Sequence, residues 1–398
     1  MAFQENKKIK VLLVNTLYPP FRVGGAEISV QLLAEQLSKN NIQVGIMTLT
    51  NTDTNYEEIK SIRIWRLKIK NIYWPFSNNK KPKLLRFAWH LIENNINSYV
   101  SEIKNIIFEF KPDIIHTNNL QGLSTNIWTV ASKLNIPIVH TIRDYYLMCP
   151  KATMFKRGQN CKTQCIDCKI LTLLKKHNTK KINQVVGISN NVLKKHLDMG
   201  FFNKSKNIVI YNGFKNSKKT IKTKPIGNQF VVGYIGQMAK HKGIEILFNS
   251  VHKINTDVNW KLILAGKIND ETTGIAKGLI QENKVEFLGY TQSKIFYAQV
   301  DLLIVPSIWN EPFGRVVIEA IANKTPVLAS NIGGIPELLT LNKDFLFAPN
   351  ADSLKLKLSN LIENKSDLLE KFNFTYDERF KITYCVNQYI KTYKSLLS

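Results

Sequence analysis

Glu311 and Glu319 stand eight positions apart in the run Asn310-Glu311-Pro312-Phe313-Gly314-Arg315-Val316-Val317-Ile318-Glu319-Ala320. A carboxylate accepts two hydrogen bonds from a vicinal diol, so two acids reaching one crevice suit a ligand rich in hydroxyls. A second run, Asn331-Ile332-Gly333-Gly334-Ile335-Pro336-Glu337, carries a glycine pair. Glycines that open a helix bring backbone N–H groups close to an anion.

These residues need a scaffold. Asp301–Val305 is a short apolar run stopped by Pro306 and reads as a buried parallel strand. Val316, Val317, Ala320 and Ile321 follow at helical spacing, with Pro312 just before the helix start. Glu311 then falls in the loop at the strand's carboxyl end, and Glu319 about two turns along the helix. In open parallel sheets that end faces the ligand crevice. Further strands are expected at Phe230–Ile235, Trp260–Ala265, Val285–Leu288 and Pro326–Ala329, with Gly236, Gly266, Gly289 and Gly333-Gly334 in the loops leaving them.

The first half alternates in the same way. Strands are expected at Ile9–Val14, Ile42–Leu49, Ile59–Leu67, Asp113–His116, Ile136–Thr141, Gln184–Ile188 and Ile208–Tyr211. A helix should bury Ile28, Leu32, Leu33 and Leu37. The fold class is α/β, with two Rossmann-like domains facing each other across a cleft. The expected boundaries are 1–213, 214–376 and a terminal helical segment 377–398, with a basic linker through Lys215–Thr220. Tyr384, Gln388 and Lys391 mark helical spacing in that last segment.

With 398 residues and 44% hydrophobic content, the chain is an ordinary globular size and composition for two to three domains. No apolar run reaches the ~18 residues of a membrane span. The start, Met1–Lys8, precedes only the short run Ile9–Val14 and lacks a signal-peptide pattern, so a cytoplasmic location is expected. A net charge of +25 favours an acidic partner, nucleic acid or an anionic membrane surface. Lys80, Lys81, Lys83 and Arg86 interleave with Phe87 and Trp89 after Tyr73, Trp74 and Phe76, which suits peripheral docking at the inner face of the cytoplasmic membrane or a lipid-linked acceptor. The same pattern equally fits a helix with core aromatics and solvated lysines. Cys149, Cys161, Cys165 and Cys168 cluster at intervals of 12, 4 and 3, and four thiolates could close a structural zinc site or remain reduced thiols.

The E-P-F-G run with its acid eight residues on, followed by G-G-I-P-E after the next strand, resembles family four of the retaining glycosyltransferases of the GT-B fold. The likeness extends from about Val11 to Glu337. It implies that the terminal helix crosses back to the first domain. It also implies that Glu319 binds the ribose diol of a UDP- or GDP-sugar donor and Glu311 its sugar hydroxyls. Backbone groups of Phe313 and Gly314 would approach the sugar, and Lys242, Gly333 and Gly334 would hold diphosphate.

Gln237 stands where family members usually have Arg, which leaves more charge stabilisation to Lys242. Gly24-Gly25 matches the first-domain glycine loop. His116-Thr117-Asn118 matches an H-x-H motif with Asn118 in the second place, and Arg143 replaces the His of T-x-H-D. Arg143 could hold phosphate bidentately. With no D-x-D motif, catalysis is expected without a metal.

The activity implied is a retaining hexosyltransferase acting on a hydroxyl acceptor, lipid-linked or polysaccharide, in assembly of bacterial surface glycan such as capsule or lipopolysaccharide. Its catalytic set would be Glu311, Lys242, His116 and Asn118. Three rivals stay open: a GT-B sugar-nucleotide epimerase; a catalytically silent partner subunit, which Gln237, Asn118 and Arg143 keep open; and a basic nucleic-acid-binding protein with a four-cysteine zinc module. No recognition helix or RNP pattern supports the nucleic-acid-binding reading, so nucleic acid is not expected as a partner.

Overall fold

The computed structural model describes residues 8–21, 24–77, 81–95, 99–214, 229–267, 274 and 284–398. The expected linker Lys215–Thr220 and Lys80 of the basic run lie outside these residues. The chain divides into two compact units. One comprises Met1–Met154, Lys162–Gly213 and Arg379–Ser398, the other Phe155–Cys161 and Phe214–Glu378.

The first unit is built on an eight-stranded sheet. Its strands are β1 (Lys10–Val14), β2 (Gln43–Thr50), β3 (Asn55–Ile59), β4 (Ile62–Lys68), β5 (Ile114–Thr117), β6 (Ile138–Ile142), β9 (Gln184–Gly187) and β10 (Lys206–Val209). β7 (Phe155–Lys156) and β8 (Gln159–Asn160) form a separate hairpin. The sheet order is β10-β9-β6-β5-β1-β2-β4-β3, with every pairing parallel except β3 on β4. Continuous burial along Val11–Val14 and Ile114–Thr117 is what a sheet covered on both faces requires.

The expected single strand Ile59–Leu67 is instead the hairpin β3–β4. Charged Glu57 and Glu58 sit on the exposed edge strand, while Tyr56 packs on Trp65 at 5.5 Å. The first helix, Gly25–Lys39, buries Val30, Leu33, Ala34 and Leu37, a face rotated from the expected one. Ile382, Cys385, Val386, Tyr389 and Tyr393 of the last helix, Ile382–Leu397, join the same core as Val11, Leu13 and Leu33. Tyr384, taken as part of the helical pattern, points to solvent.

The second unit holds a six-stranded parallel sheet. Its strands are β11 (Phe230–Ile235), β12 (Trp260–Ala265), β13 (Val285–Gly289), β14 (Leu302–Val305), β15 (Val327–Ser330) and β16 (Leu346–Phe347). The order β13-β12-β11-β14-β15-β16 reverses direction between β11 and β14. Open α/β sheets bind ligands outside the carboxyl ends of the strands at such a switch point. The loop after β11 leads to Lys242, and the loop after β14 carries Glu311.

Candidate active site

Lys242 ends a 3₁₀ turn, Lys240–Lys242, and is followed by Gly243 in the left-handed region at φ 77°. A Cβ there would come within 1.7 Å of the Pro306 carbonyl oxygen, so only glycine lets the turn lie this close to the end of β14. The close approach delivers Lys242 Nζ to Glu311 Oε1 at 2.6 Å. Ser307 Oγ donates to the same carboxylate oxygen at 3.2 Å, and the ammonium lies 4.7 Å from the Trp309 ring centroid. The pair is recessed without being sealed, with side-chain exposures of 26% for Lys242 and 11% for Glu311. His241 is half-buried beside it and titrates below the ordinary imidazole range, chiefly through burial and then through the Lys242 charge.

Gly333 packs against the backbone of Glu311. A Cβ at Gly333 would meet Glu311 N at 2.4 Å and its carbonyl oxygen at 2.6 Å. The Gly334 N–H donates to that carbonyl at 2.8 Å. This corrects the expectation that Gly334 offers its N–H to phosphate: the donor is already used, and the pair instead fixes the Glu311 loop. Gly314, at φ 96°, starts the helix Arg315–Ala322. One turn along it, Glu319 Oε1 accepts from Arg315 Nε at 2.5 Å. Phe313 is buried, and Gln237 is exposed with its carbonyl accepting from Tyr234 Oη at 2.7 Å.

Asn160 escaped the sequence reading. Its amide clamps the Glu311 loop from the β7–β8 hairpin: Nδ2 donates to the Ile308 carbonyl at 2.7 Å, and Oδ1 accepts from Asn310 N–H at 2.8 Å. The residues lie 150 positions apart, so no local pattern could join them. Ser307 and Trp309 were also overlooked, although their place directly after β14 was a usable signal.

In the first unit, His116 is fully buried, with Nδ1 2.7 Å from Tyr393 Oη and Nε2 2.8 Å from Thr141 Oγ1. Burial and the neighbouring charge of Arg143 hold it well below the usual histidine range. Both ring nitrogens are committed, so His116 is a core histidine and leaves the catalytic set. Asn118 is also buried, and its Oδ1 accepts from Arg143 Nε at 2.8 Å. Arg143 Nη1 donates to Asn212 Oδ1 at 2.7 Å. Arg143 and Asn118 are therefore engaged with each other. Gly24 caps the first helix, and its N–H donates to Glu27 Oε2 at 2.9 Å.

Of the two readings left open for the cysteines, the structure carries the reduced thiols. None of the five forms a disulfide, and among the described residues no group of three or more His, Cys, Asp or Glu is placed to hold a metal ion. Cys161 belongs to the second unit and the other four to the first. A hydrogen bond from Cys168 holds the Cys149 thiol down at about 5, helped by backbone N–H groups of Met154, Lys151 and Thr153 and opposed by burial.

The sequence matches the family model for glycosyl transferases group 1 over residues 216–375 and that for glycosyltransferase family 4 over residues 23–217. An uncharacterised 42.6 kDa protein in the cps region of Klebsiella pneumoniae is 35% identical over 97% of this chain and 100% of its own length. An uncharacterised glycosyltransferase of Methanocaldococcus jannaschii is 25% identical over 92% of this chain and 95% of its own. The crystal structure of Anabaena HepE in complex with UDP and glucose superposes with a TM-score of 0.67 at 20% identity, covering 97% of this chain and 100% of that one. A two-sheet architecture with a switch-point acid is that of a GT-B glycosyltransferase. This chain belongs to glycosyltransferase family 4.

Proposed function

We propose that the protein transfers a hexose from a nucleoside diphosphate sugar to an acceptor hydroxyl with retention of anomeric configuration. The observation that carries the reading is the Lys242–Glu311 pair, held at the switch point by Gly243 and Gly333. A diphosphate arriving there draws the ammonium toward itself and frees Glu311 to accept hydrogen bonds from sugar hydroxyls. Glu319, oriented by Arg315, is assigned to the ribose diol. Lys242, assigned to the diphosphate, stabilises the charge that grows as the bond between the anomeric carbon and the phosphate oxygen breaks. The acceptor oxygen bonds to the same face of that carbon, and its proton passes to the departing phosphate. The sugar hydroxyls, the diphosphate and the acceptor account for the site without a metal-bound step.

UDP is the favoured nucleotide, because the HepE structure holds UDP and glucose. The cps-region relative supports a surface-polysaccharide or lipid-linked acceptor. A thermal-shift panel of UDP-, GDP-, ADP- and dTDP-sugars tests the donor. At a hundredfold excess over Kd the right donor stabilises by about 2.7 kcal/mol. If no nucleotide sugar shifts the transition, the assignment fails. Release of free nucleoside diphosphate only when an acceptor is present separates transfer from epimerisation.

A further inference from the structure

Two helices of the first unit carry a charged residue on the buried side, beside core Trp89 and Leu171, and large apolar residues on the exposed side. The helix Lys83–Asn95 packs against the helix Ile166–Asn178. Between them lies a buried ion pair, Lys175 Nζ to Glu93 Oε2 at 3.2 Å, with side-chain exposures of 2% and 1%. The Gly122 N–H also donates to Glu93, at 2.6 Å, and the Lys175 ammonium lies 3.5 Å from the Tyr146 ring centroid. The inward faces thus hold an ion pair among their apolar residues.

The outward faces hold large apolar side chains. Leu84, Phe87 and Leu91 recur at helical spacing on one helix, and Ile166, Ile170 and Leu173 on the other. Leu84 is 81% exposed, Ile166 74% and Leu173 65%. Soluble surfaces scatter such residues singly, and a contiguous set marks a surface meant to be covered. The buried pair fixes the orientation, since turning either helix over would strand Glu93 or Lys175 without its partner.

We propose that this face docks on an anionic lipid bilayer. Charge decides between occupants. Among the exposed described positions of the two helices, Lys83, Arg86 and Lys169 outnumber the one acid, Asp167. A second copy would set these cations against their own images in a chain of net charge +25. Nucleic acid would neutralise the cations but leave the leucines and isoleucines in water. Anionic headgroups with acyl chains beneath them satisfy both sets. The sequence pattern reached only the first helix, and the surface is completed by the second. The inference is independent of the glycosyl-transfer reading.

Co-sedimentation of the full chain with phosphatidylcholine vesicles, with and without phosphatidylglycerol, tests it. Binding is expected to the anionic vesicles. Each of Lys83→Gln, Arg86→Gln and Lys169→Gln should weaken it about fivefold, near a hundredfold together. Leu84→Ser with Leu173→Ser should release the protein while circular dichroism and the melting temperature stay unchanged. Three results overturn the proposal: no binding to anionic vesicles; binding that falls with salt yet survives both serine changes, which is bulk electrostatics; or a concentration-dependent dimer in light scattering that the serine changes disperse, which assigns the face to a second copy.

Discussion

Lys242→Ala separates a catalytic lysine from a structural one. The Lys242 ammonium makes an ion pair with Glu311 at 2.6 Å and lies 4.7 Å from the Trp309 ring centroid. With a quarter of the side chain exposed, the ion pair contributes roughly 0–1 kcal/mol to folding and the ring contact about 0.5–1 kcal/mol. A fold lost by one to two kcal/mol is still fully populated at assay temperature. The transition state is another matter. Removing one donor aimed at developing charge costs about 10²–10³ in rate, or about 2.7–4 kcal/mol. Initial rates with varied donor should therefore show kcat/KM reduced by that factor while the melting temperature moves by a few degrees. Lys242→Arg, which keeps the charge but changes its shape, should recover part of the loss. Full activity in Lys242→Ala refutes the role. A loss that merely tracks the unfolded fraction, measured by circular dichroism in the same samples, refutes it as well.

Other perturbations follow from the same geometry. Glu319→Ala should raise donor KM strongly with a smaller change in kcat, and unchanged donor kinetics would remove it from the ribose site. Asn160→Ala deletes both hydrogen bonds that clamp Ile308 and Asn310, each worth about 1 kcal/mol, so kcat/KM should fall about tenfold or more while Asn160→Asp, which keeps one acceptor, should retain part of it. An unaltered Asn160→Ala enzyme would show that the loop needs no clamp. Lys175→Met should destabilise by about 3–5 kcal/mol by leaving Glu93 buried without its partner, and the double change with Glu93→Gln should restore much of it in chemical denaturation. Burial, with the nearby Glu27 charge, pushes the Asp144 carboxyl up to about 6 from 3.8. The folded state then holds a proton that the unfolded state has released, so this contribution to stability is full below about 4 and lost as pH rises through about 6. Asp144→Asn should stabilise the protein at pH 7–8 and not at pH 4, and a pH-independent difference in melting temperature would contradict the shift.

How much was legible follows from what each residue depends on. Strands buried on both faces announce themselves as apolar runs, and Phe230–Ile235 and Trp260–Ala265 run where the pattern put them. The Glu311 loop was legible because strand, turn and helix signals are all local to it. His116 looked functional by its place in a motif, yet its role is set by Thr141 and by Tyr393, which lies 277 residues away. Asn160 depends in the same way on a loop far along the chain. The Ile166–Asn178 helix shows a further limit. Periodicity reveals that one face is apolar, but only the buried Glu93–Lys175 pair decides that this face points outward.

Isothermal titration calorimetry with the nucleotide of the stabilising sugar, as its mono- and diphosphate, tests the central claim most directly. Glu319→Ala should weaken both ligands, because both carry the ribose. Lys242→Ala should weaken the diphosphate far more than the monophosphate if Lys242 meets the distal phosphate, as proposed. Equal Kd values for wild type and both variants would contradict the assignment of the switch-point acids and lysine to a nucleotide-sugar site.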